Sequence, residues 1–96
     1  MASYNGWTNY ETWAVALWLD NEEPTYRDVQ RMVAREYDPD DENDPADEVA
    51  QRLGQRIKDY VDDMPDRPTS GLFADLVGAA LSEVDWDEVA SHYIDA

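Results

Sequence analysis

Several kinds of chemistry are excluded because this chain of 96 residues lacks the side chains they need. It has no cysteine, so it can form neither a disulfide scaffold, nor a thiolate nucleophile, nor a Cys-type zinc site. Its four glycines are scattered and form no phosphate-cradling loop. Seven basic residues stand against 23 acidic ones, a formal net charge of -16. A basic surface for nucleic acid or an anionic membrane is therefore excluded as the default interpretation.

Long apolar runs are also missing. No segment approaches the roughly 20 apolar residues of a membrane span, and the longest uncharged run in the first helical segment covers residues 12–19. Residues 1–4, M-A-S-Y, lack the basic region and apolar stretch of a signal peptide. We therefore expect a soluble protein of the cytoplasm with no membrane partner.

The residues that are present predict a folded domain. Hydrophobic residues make up 43% of the chain and aromatic residues 11%, including four Trp and six Tyr. An acidic disordered segment would combine high charge with low hydrophobicity, and only the first condition holds here. The length suits one domain over residues 1–96, with a small core in which the Trp side chains have a large share.

The apolar residues follow helical spacing nearly everywhere, and no segment shows convincing strand alternation. The stripes lie around residues 10–20, 26–37, 46–64, 72–84 and 86–93. We predict an all-α fold, a compact bundle of four or five short helices around a Trp/Tyr/Leu core. Asn5-Gly6 is the one hairpin signal, so a small N-terminal hairpin is an additional option.

One glycine predicts a helix crossing. Gly54 lies inside the third helical segment, where it lowers helix propensity but permits close approach of another helix.

Capping residues predict where three of the helices begin. The predicted caps are Thr8 with Glu11, or Asn9 instead, for the first helix, Asp44 before Pro45 for the third, and Asp85 with Glu88 for the last.

Two segments carry a resemblance to a known family. Residues 5–13 read N-G-W-T-N-Y-E-T-W, residues 17–21 read L-W-L-D-N and residues 84–90 read V-D-W-D-E-V-A. These segments resemble the opening and the weaker closing signature of a family of small uncharacterised proteins from phages, plasmids and prokaryotic genomes. The family is a domain of unknown function, so the resemblance implies a mobile-element context and no catalytic residues.

The aromatic and amide residues of the opening segment have two interpretations. They could form a ligand-stacking or protein-binding surface. The favoured interpretation is structural, because Gly6 makes a turn, Thr8 or Asn9 caps the helix, and the Trp side chains fill the core.

The acidic loop after the second helix has the alternating carboxylates of a calcium loop but not its other requirements. Asn43 stands where the turn glycine belongs, and Val49 stands where the bidentate Glu belongs. A solvated loop is therefore favoured, and we predict no metal and no cofactor.

Catalytic residues cannot be selected from this sequence. With 23 carboxylates, some pair lies at any desired distance, so spacing carries no information. The lone His92 has no Ser or Cys partner in a recognisable motif, so an ordinary surface or helix-end role is favoured. We predict that the protein is not an enzyme, and a small hydrolase or metal protein is the least favoured class.

The charge itself is unevenly distributed. Residues 1–26 carry a net charge of -4, residues 27–58 carry -3 and residues 59–96 carry -9. A compact chain of this length is about 32 Å across, and duplex DNA of that length carries about 19 phosphate charges. The net charge of -16 is of the same order. Carboxylates held on rigid helices could therefore occupy the cationic groove of a DNA-binding enzyme, as DNA mimics do.

The leading hypothesis is a non-enzymatic phage or mobile-element inhibitor of a host defence complex, of the anti-restriction or anti-CRISPR kind. Its partner would be a basic DNA-binding protein or nucleoprotein complex, with no direct nucleic-acid contact. Three acidic sets are the predicted binding residues. The loop set is Asp38, Asp40, Asp41, Glu42 and Asp44; the middle set is Asp59, Asp62, Asp63 and Asp66; the C-terminal set is Asp85, Asp87 and Glu88.

A rival hypothesis treats the acidity as a solvation feature. Asp outnumbers Glu by 15 to 8 and Arg outnumbers Lys by 6 to 1, which also follows from life in high salt or from a GC-rich genome. The protein would then be a small structural or accessory protein of a phage or a halophile, or a homodimer built on its aromatic surface.

Overall fold

A computed structural model describes residues 4–94; residues 1–3, on which the predicted absence of a signal peptide partly rests, and residues 95–96 lie outside it. Five helices follow one another along this part of the chain, and it contains no β-strand. They are α1 (Tyr10–Asn21), α2 (Glu23–Glu36), α3 (Ala46–Asp62), α4 (Leu72–Ser82) and α5 (Trp86–Ile94). The predicted all-α fold is confirmed.

The N-terminal hairpin is reduced to a single two-residue turn. Tyr4 and Trp7 exchange two backbone hydrogen bonds of 2.8 Å. Asn5 and Gly6 between them have φ angles of 48° and 88°. Both positive angles are what a tight type I′ turn requires, and Asn-Gly is the pair that adopts them most readily.

The first and last helices are capped by side chains, but not entirely as predicted. Asn9 caps α1, because its Oδ1 accepts a 2.9 Å hydrogen bond from the backbone N–H of Thr12. Thr8 is therefore not the cap. Asp85 caps α5, with its Oδ1 accepting from the N–H of Glu88 at 3.1 Å, so the predicted cap is confirmed. The predicted box is not completed, because Glu88 accepts from the N–H of Thr8 and the N–H of Asp85 donates to Thr12 instead.

The predicted start of α3 is wrong in its cap. Pro45 stands at the cap position, and α3 has no side-chain cap hydrogen bond. The carboxylate of Asp44 binds Arg52 one and a half turns into the helix instead, because an ion pair with a guanidinium makes two charge-assisted hydrogen bonds. Helix α2 begins at Glu23, three residues before its apolar stripe starts at Tyr26, and takes Pro24 into its first turn.

The core is mainly aliphatic, so the predicted Trp/Tyr/Leu core holds only for its leucines: Leu19 and Leu53 are buried in it, whereas Trp86 and three Tyr side chains pack half-buried against it. Trp18 is 64% exposed, and the other three Trp side chains are half-buried at the edge. At Gly54 the backbone of α3 lies so close to the backbone of Trp86 in α5 that no side chain fits between the two helices there. The buried hydrophobic cluster is Leu19, Val29, Val49, Ala50, Leu53, Ile57, Val84, Val89, Ala90 and Ile94.

The packing of α3 against α5 organises the molecule. These two helices form the most extensive helix–helix contact, while α2 packs against α3 and α1 packs against α2 and α5. A Cβ atom on Gly54 would lie 2.8 Å from the carbonyl oxygen of Trp86, which confirms the predicted close crossing. The principal extents are 46 × 32 × 21 Å, so the molecule is more elongated than a 32 Å sphere. Within residues 4–94, no helix has the length and apolar character needed to cross a membrane.

Candidate functional site

Most positive charges are neutralised within the molecule. Along residues 4–94, six of the seven Lys and Arg side chains form ion pairs with Asp or Glu. On α2, Arg27 binds Glu23 and Arg31 binds Asp28. These pairs use few of the 23 acidic residues, so the excess negative charge lies on the remaining carboxylates.

Glu36 at the end of α2 is the centre of one such network. Its carboxylate binds both Arg52 and Arg56 of α3. Arg52 also binds Asp44, with 2.7 Å between Nη2 and Oδ2. The hydrogen bond to Asp44 is the largest of the effects that raise the pKa of Arg52 above its ordinary value. This network fixes the end of the α2–α3 loop to both helices.

The loop set lies between α2 and α3, and four of its five carboxylates are exposed. Asp38 accepts a 2.9 Å hydrogen bond from the backbone of Asp40, and Asp41 accepts one of 3.0 Å from the backbone of Asn43. Such Asx turns order a polar loop without any apolar contact. Asp44 differs from the others, because it is half-buried in its ion pair with Arg52.

The middle set lies at the C-terminal end of α3. Asp59, Asp63 and Asp66 are exposed. Asp62 is half-buried and binds Lys58 at 3.0 Å and Arg67 at 2.7 Å. Three of the four members therefore present exposed carboxylates, of which Asp59 accepts a 2.9 Å hydrogen bond from Gln55, and the fourth fixes the start of the α3–α4 linker.

Two members of the C-terminal set, Asp85 and Asp87, are exposed, and Glu88 is half-buried. Asp85 caps α5, and Glu88 accepts a 3.1 Å hydrogen bond from the backbone N–H of Thr8. Asp87 lies beside the middle of α3, where a Cβ atom on Gly54 would be 3.2 Å from its Oδ1.

The exposed members of the three sets therefore occupy three levels along α3. From Ala46 to Asp62 the helix rises about 24 Å at 1.5 Å per residue. The loop set precedes its N-terminus, Asp87 lies near its midpoint, and the middle set lies at its C-terminus. A duplex of about 24 Å carries about 14 phosphate charges.

Two further carboxylates extend the loop set. Asp47 and Glu48 are exposed in the first turn of α3. Because both follow Pro45 within the first turn of α3, the sequence predicts for them only a favourable interaction with the helix dipole. The ion pair between Asp44 and Arg52 fixes the end of the loop to α3. It therefore sets where the loop set lies relative to Asp47 and Glu48.

The two signature segments, more than 70 residues apart, are joined to each other. The Nδ2 of Asn9 donates to the carbonyl of Glu83 at 2.7 Å, and the N–H of Asp85 donates to Oγ1 of Thr12 at 2.9 Å. Thr12 is fully buried. These contacts, with the bond between Thr8 and Glu88, support the structural interpretation of the opening segment.

His92 also joins the first helix to the last. Its Nε2 lies 3.0 Å from one carboxylate oxygen of Asp20, and the hydroxyl of Tyr93 donates to the other at 2.7 Å. Burial, and then the bond to Asp20, raise the pKa of Tyr93 above its ordinary value. The ring of Trp7 lies 5.2 Å from the imidazole. The sequence pattern did not indicate this cluster, because its parts come from three distant segments.

No group of three or more His, Asp or Glu side chains in the part of the chain that the structure describes could hold a metal ion. The fold and surface thus define a small acidic all-α protein whose bases are mostly paired internally. The whole chain, residues 1–96, matches the family model of a family of unknown function, DUF7249, and the protein belongs to that family. No curated protein and no solved structure matches the chain.

Proposed function

We propose that this protein binds the positively charged DNA-binding site of another protein as a DNA mimic. It would be made by a phage or other mobile element and would inhibit a host defence complex, of the anti-restriction or anti-CRISPR kind, in the host cytoplasm. It would act by binding alone, without catalysis or a cofactor. One observation carries the proposal: most bases are paired internally, while exposed carboxylates occupy three levels along α3.

Electrostatics favour this kind of partner over others. Closely spaced carboxylates hold cations that are released when the array binds a cationic groove, as the cations condensed on DNA are released when a protein binds it. The Asx turns at Asp38 and Asp41 hold part of this array in place before binding, so less entropy is lost on association. With about eight such contacts, affinity should fall roughly 10³-fold or more between about 50 and 200 mM salt.

The experiment measures DNA cleavage by purified restriction complexes and CRISPR effector complexes with and without this protein. Inhibition should weaken steeply with salt and be relieved by excess duplex DNA. The loop variant, Asp40→Asn with Asp41→Asn and Glu42→Gln, should inhibit much less than the wild type. Its matched control neutralises three exposed acids elsewhere, Glu22→Gln with Asp75→Asn and Glu83→Gln, and should inhibit nearly as well.

Equal losses in the loop variant and its control would indicate a nonspecific effect of net charge. No inhibition of any complex, and no DNA-binding protein recovered from host lysate at low salt, would refute the proposal.

A structural or accessory role is the second candidate, and α4 favours it. The three large apolar side chains at the start of α4 are among the most exposed in the protein, which suits assembly more than solvation. On this hypothesis the loop variant keeps its assembly unchanged, whereas a DNA mimic loses its partner.

A further inference from the structure

Helix α4 has two apolar faces, of which one is half-buried and the other is exposed. The inner face, formed by Ala74, Val77, Gly78 and Leu81, is half-buried, and Leu81 packs against the core. The outer face is exposed and consists of Leu72, Phe73, Leu76, Ala79 and Ala80. Leu72, Phe73 and Leu76 are 68%, 70% and 56% exposed. A helix that is apolar on both sides is normally buried on both sides.

The outer face also carries little charge. Asp75 is the one charged residue between Gly71 and Ser82, although charged residues make up 31% of the protein. By helical spacing, Asp75 lies at the edge of the outer face, beside Leu72. A contact made by this face therefore brings together apolar side chains with little buried charge.

We propose that the outer face of α4 binds the same face of a second copy of this chain, in an antiparallel arrangement. Its large side chains, Leu72 and Phe73, lie at the N-terminal end and its small ones, Ala79 and Ala80, at the C-terminal end. Leu76 lies midway between them. With a two-fold axis at Leu76, the large residues of each copy face the small residues of the other, as a self-complementary contact requires.

The area of the face sets the strength of the dimer. At about 150–200 Å² for a side chain of this size, the three exposed fractions amount to roughly 300–400 Å² per copy. Two copies together bury roughly 600–800 Å², below the size of a stable interface. The dimer is therefore weak and reversible. Because each copy carries -16, added salt strengthens the dimer, whereas it weakens the proposed binding to a cationic site.

The experiment exchanges large and small residues across the two-fold axis. Sedimentation velocity of the full chain, from about 1 µM to about 1 mM, gives the dissociation constant at low and high salt. Leu72→Ala weakens the dimer about tenfold by lost burial. Ala80→Leu weakens the dimer by a similar factor, because the new leucine then meets Leu72 of the second copy in a space that fits one large side chain. The double variant Leu72→Ala with Ala80→Leu restores wild-type affinity. Leu17→Ala, at an exposed leucine of α1, changes nothing.

Three results would overturn the proposal. A chain that stays monomeric up to about 1 mM in high salt has no such contact. Ala80→Leu that tightens association would mean a parallel pair or nonspecific adhesion. Double-variant affinity no better than that of either single variant would exclude the antiparallel register. Circular dichroism of each variant confirms that α4 remains helical, so a loss of association is not a loss of the helix.

Discussion

The hydroxyl of Thr12 connects the two ends of the fold through a single buried atom. It donates to Oδ1 of Asn9 at 2.6 Å and accepts from the N–H of Asp85 at 2.9 Å. Asn9 in turn holds the carbonyl of Glu83. The end of α4 and the start of α5 thus depend on one side chain of α1.

Replacing Thr12 by valine should therefore destabilise the protein although the volume is conserved. The N–H of Asp85 would lose its partner beside a fully buried site, which costs about 1–3 kcal/mol. Urea unfolding measures the change. Thr8→Val is the matched control, because Thr8 is exposed and takes part through its backbone N–H. Equal stability of the two variants would contradict the role of the Thr12 hydroxyl.

Tyr60 predicts a loss of stability at alkaline pH. Its hydroxyl donates to Asp28 of α2 at 2.6 Å. Burial, followed by this bond to Asp28, raises the pKa of Tyr60 from 10.0 to about 12. Because the folded pKa is the higher one, this stabilisation is complete below pH 10 and is lost as pH rises toward 12.

The measurement compares urea stability at about pH 9 and about pH 11. Tyr60→Phe should be less stable than the wild type at the lower pH, and its further loss at the higher pH should be smaller. Tyr10→Phe, at an exposed tyrosine of α1, should show the full wild-type loss. An unchanged pH response in Tyr60→Phe would contradict this account.

At the scale of elements, the α3–α5 crossing depends on the absence of a side chain at Gly54. Alanine normally stabilises a helix interior by about 0.5–1 kcal/mol relative to glycine. Here the added Cβ would lie 2.8 Å from a backbone oxygen of α5 that cannot move alone. Gly54→Ala should therefore destabilise the fold by about 1–3 kcal/mol.

Gly78→Ala provides the matched comparison. A Cβ atom at Gly78 meets no atom within 4 Å, so only the gain in helix propensity remains. Thermal or urea unfolding should show opposite signs for the two substitutions. The same sign for both would mean that the crossing can relax without cost.

The helices themselves were predictable, because their apolar residues recur at helical spacing and the caps at Asn9 and Asp85 are local signals. Two properties could not be predicted from the sequence. The aliphatic core depends on how closely α3 and α5 approach, which is a property of the pair. The exposure of Leu72 and Phe73 is equally invisible, because an apolar stripe does not indicate whether another helix covers it.

At the scale of the whole molecule, the sequence identified most of the exposed acidic residues. It did not indicate which carboxylates are bound in ion pairs and which remain exposed. Asp38, Asp40, Asp41 and Glu42 are exposed, as a polar loop without apolar residues predicts. Asp44 instead binds Arg52, eight residues later in the chain. Asp62 binds Lys58, one helical turn before it, and Arg67, five residues after it. Which carboxylate captures a base depends on the folded positions of both partners.

The surplus carboxylates should reduce stability rather than support it. The loop variant removes three negative charges from the total of -16, and its Asp41→Asn change retains a side-chain oxygen for the Asx turn. Lower repulsion among neighbouring acids should stabilise the variant by about 0.5–1 kcal/mol at low salt. The difference in stability between the loop variant and the wild type should disappear at about 1 M salt, where the screening length is about 3 Å. Urea unfolding across salt concentrations measures both effects.

The dispersed control variant, with Glu22, Asp75 and Glu83 neutralised, separates clustering from total charge. It should gain less stability than the loop variant, because its three acids are not consecutive in the chain: Glu22 lies between α1 and α2, Asp75 lies in α4 and Glu83 follows α4. If the loop acids destabilise the fold but are needed for inhibition, their role is to bind the partner. Residues of binding sites commonly reduce the stability of the folded protein in this way. A loop variant that loses stability at every salt concentration would instead assign these carboxylates to folding, and would leave the DNA-mimic proposal without its charge surplus.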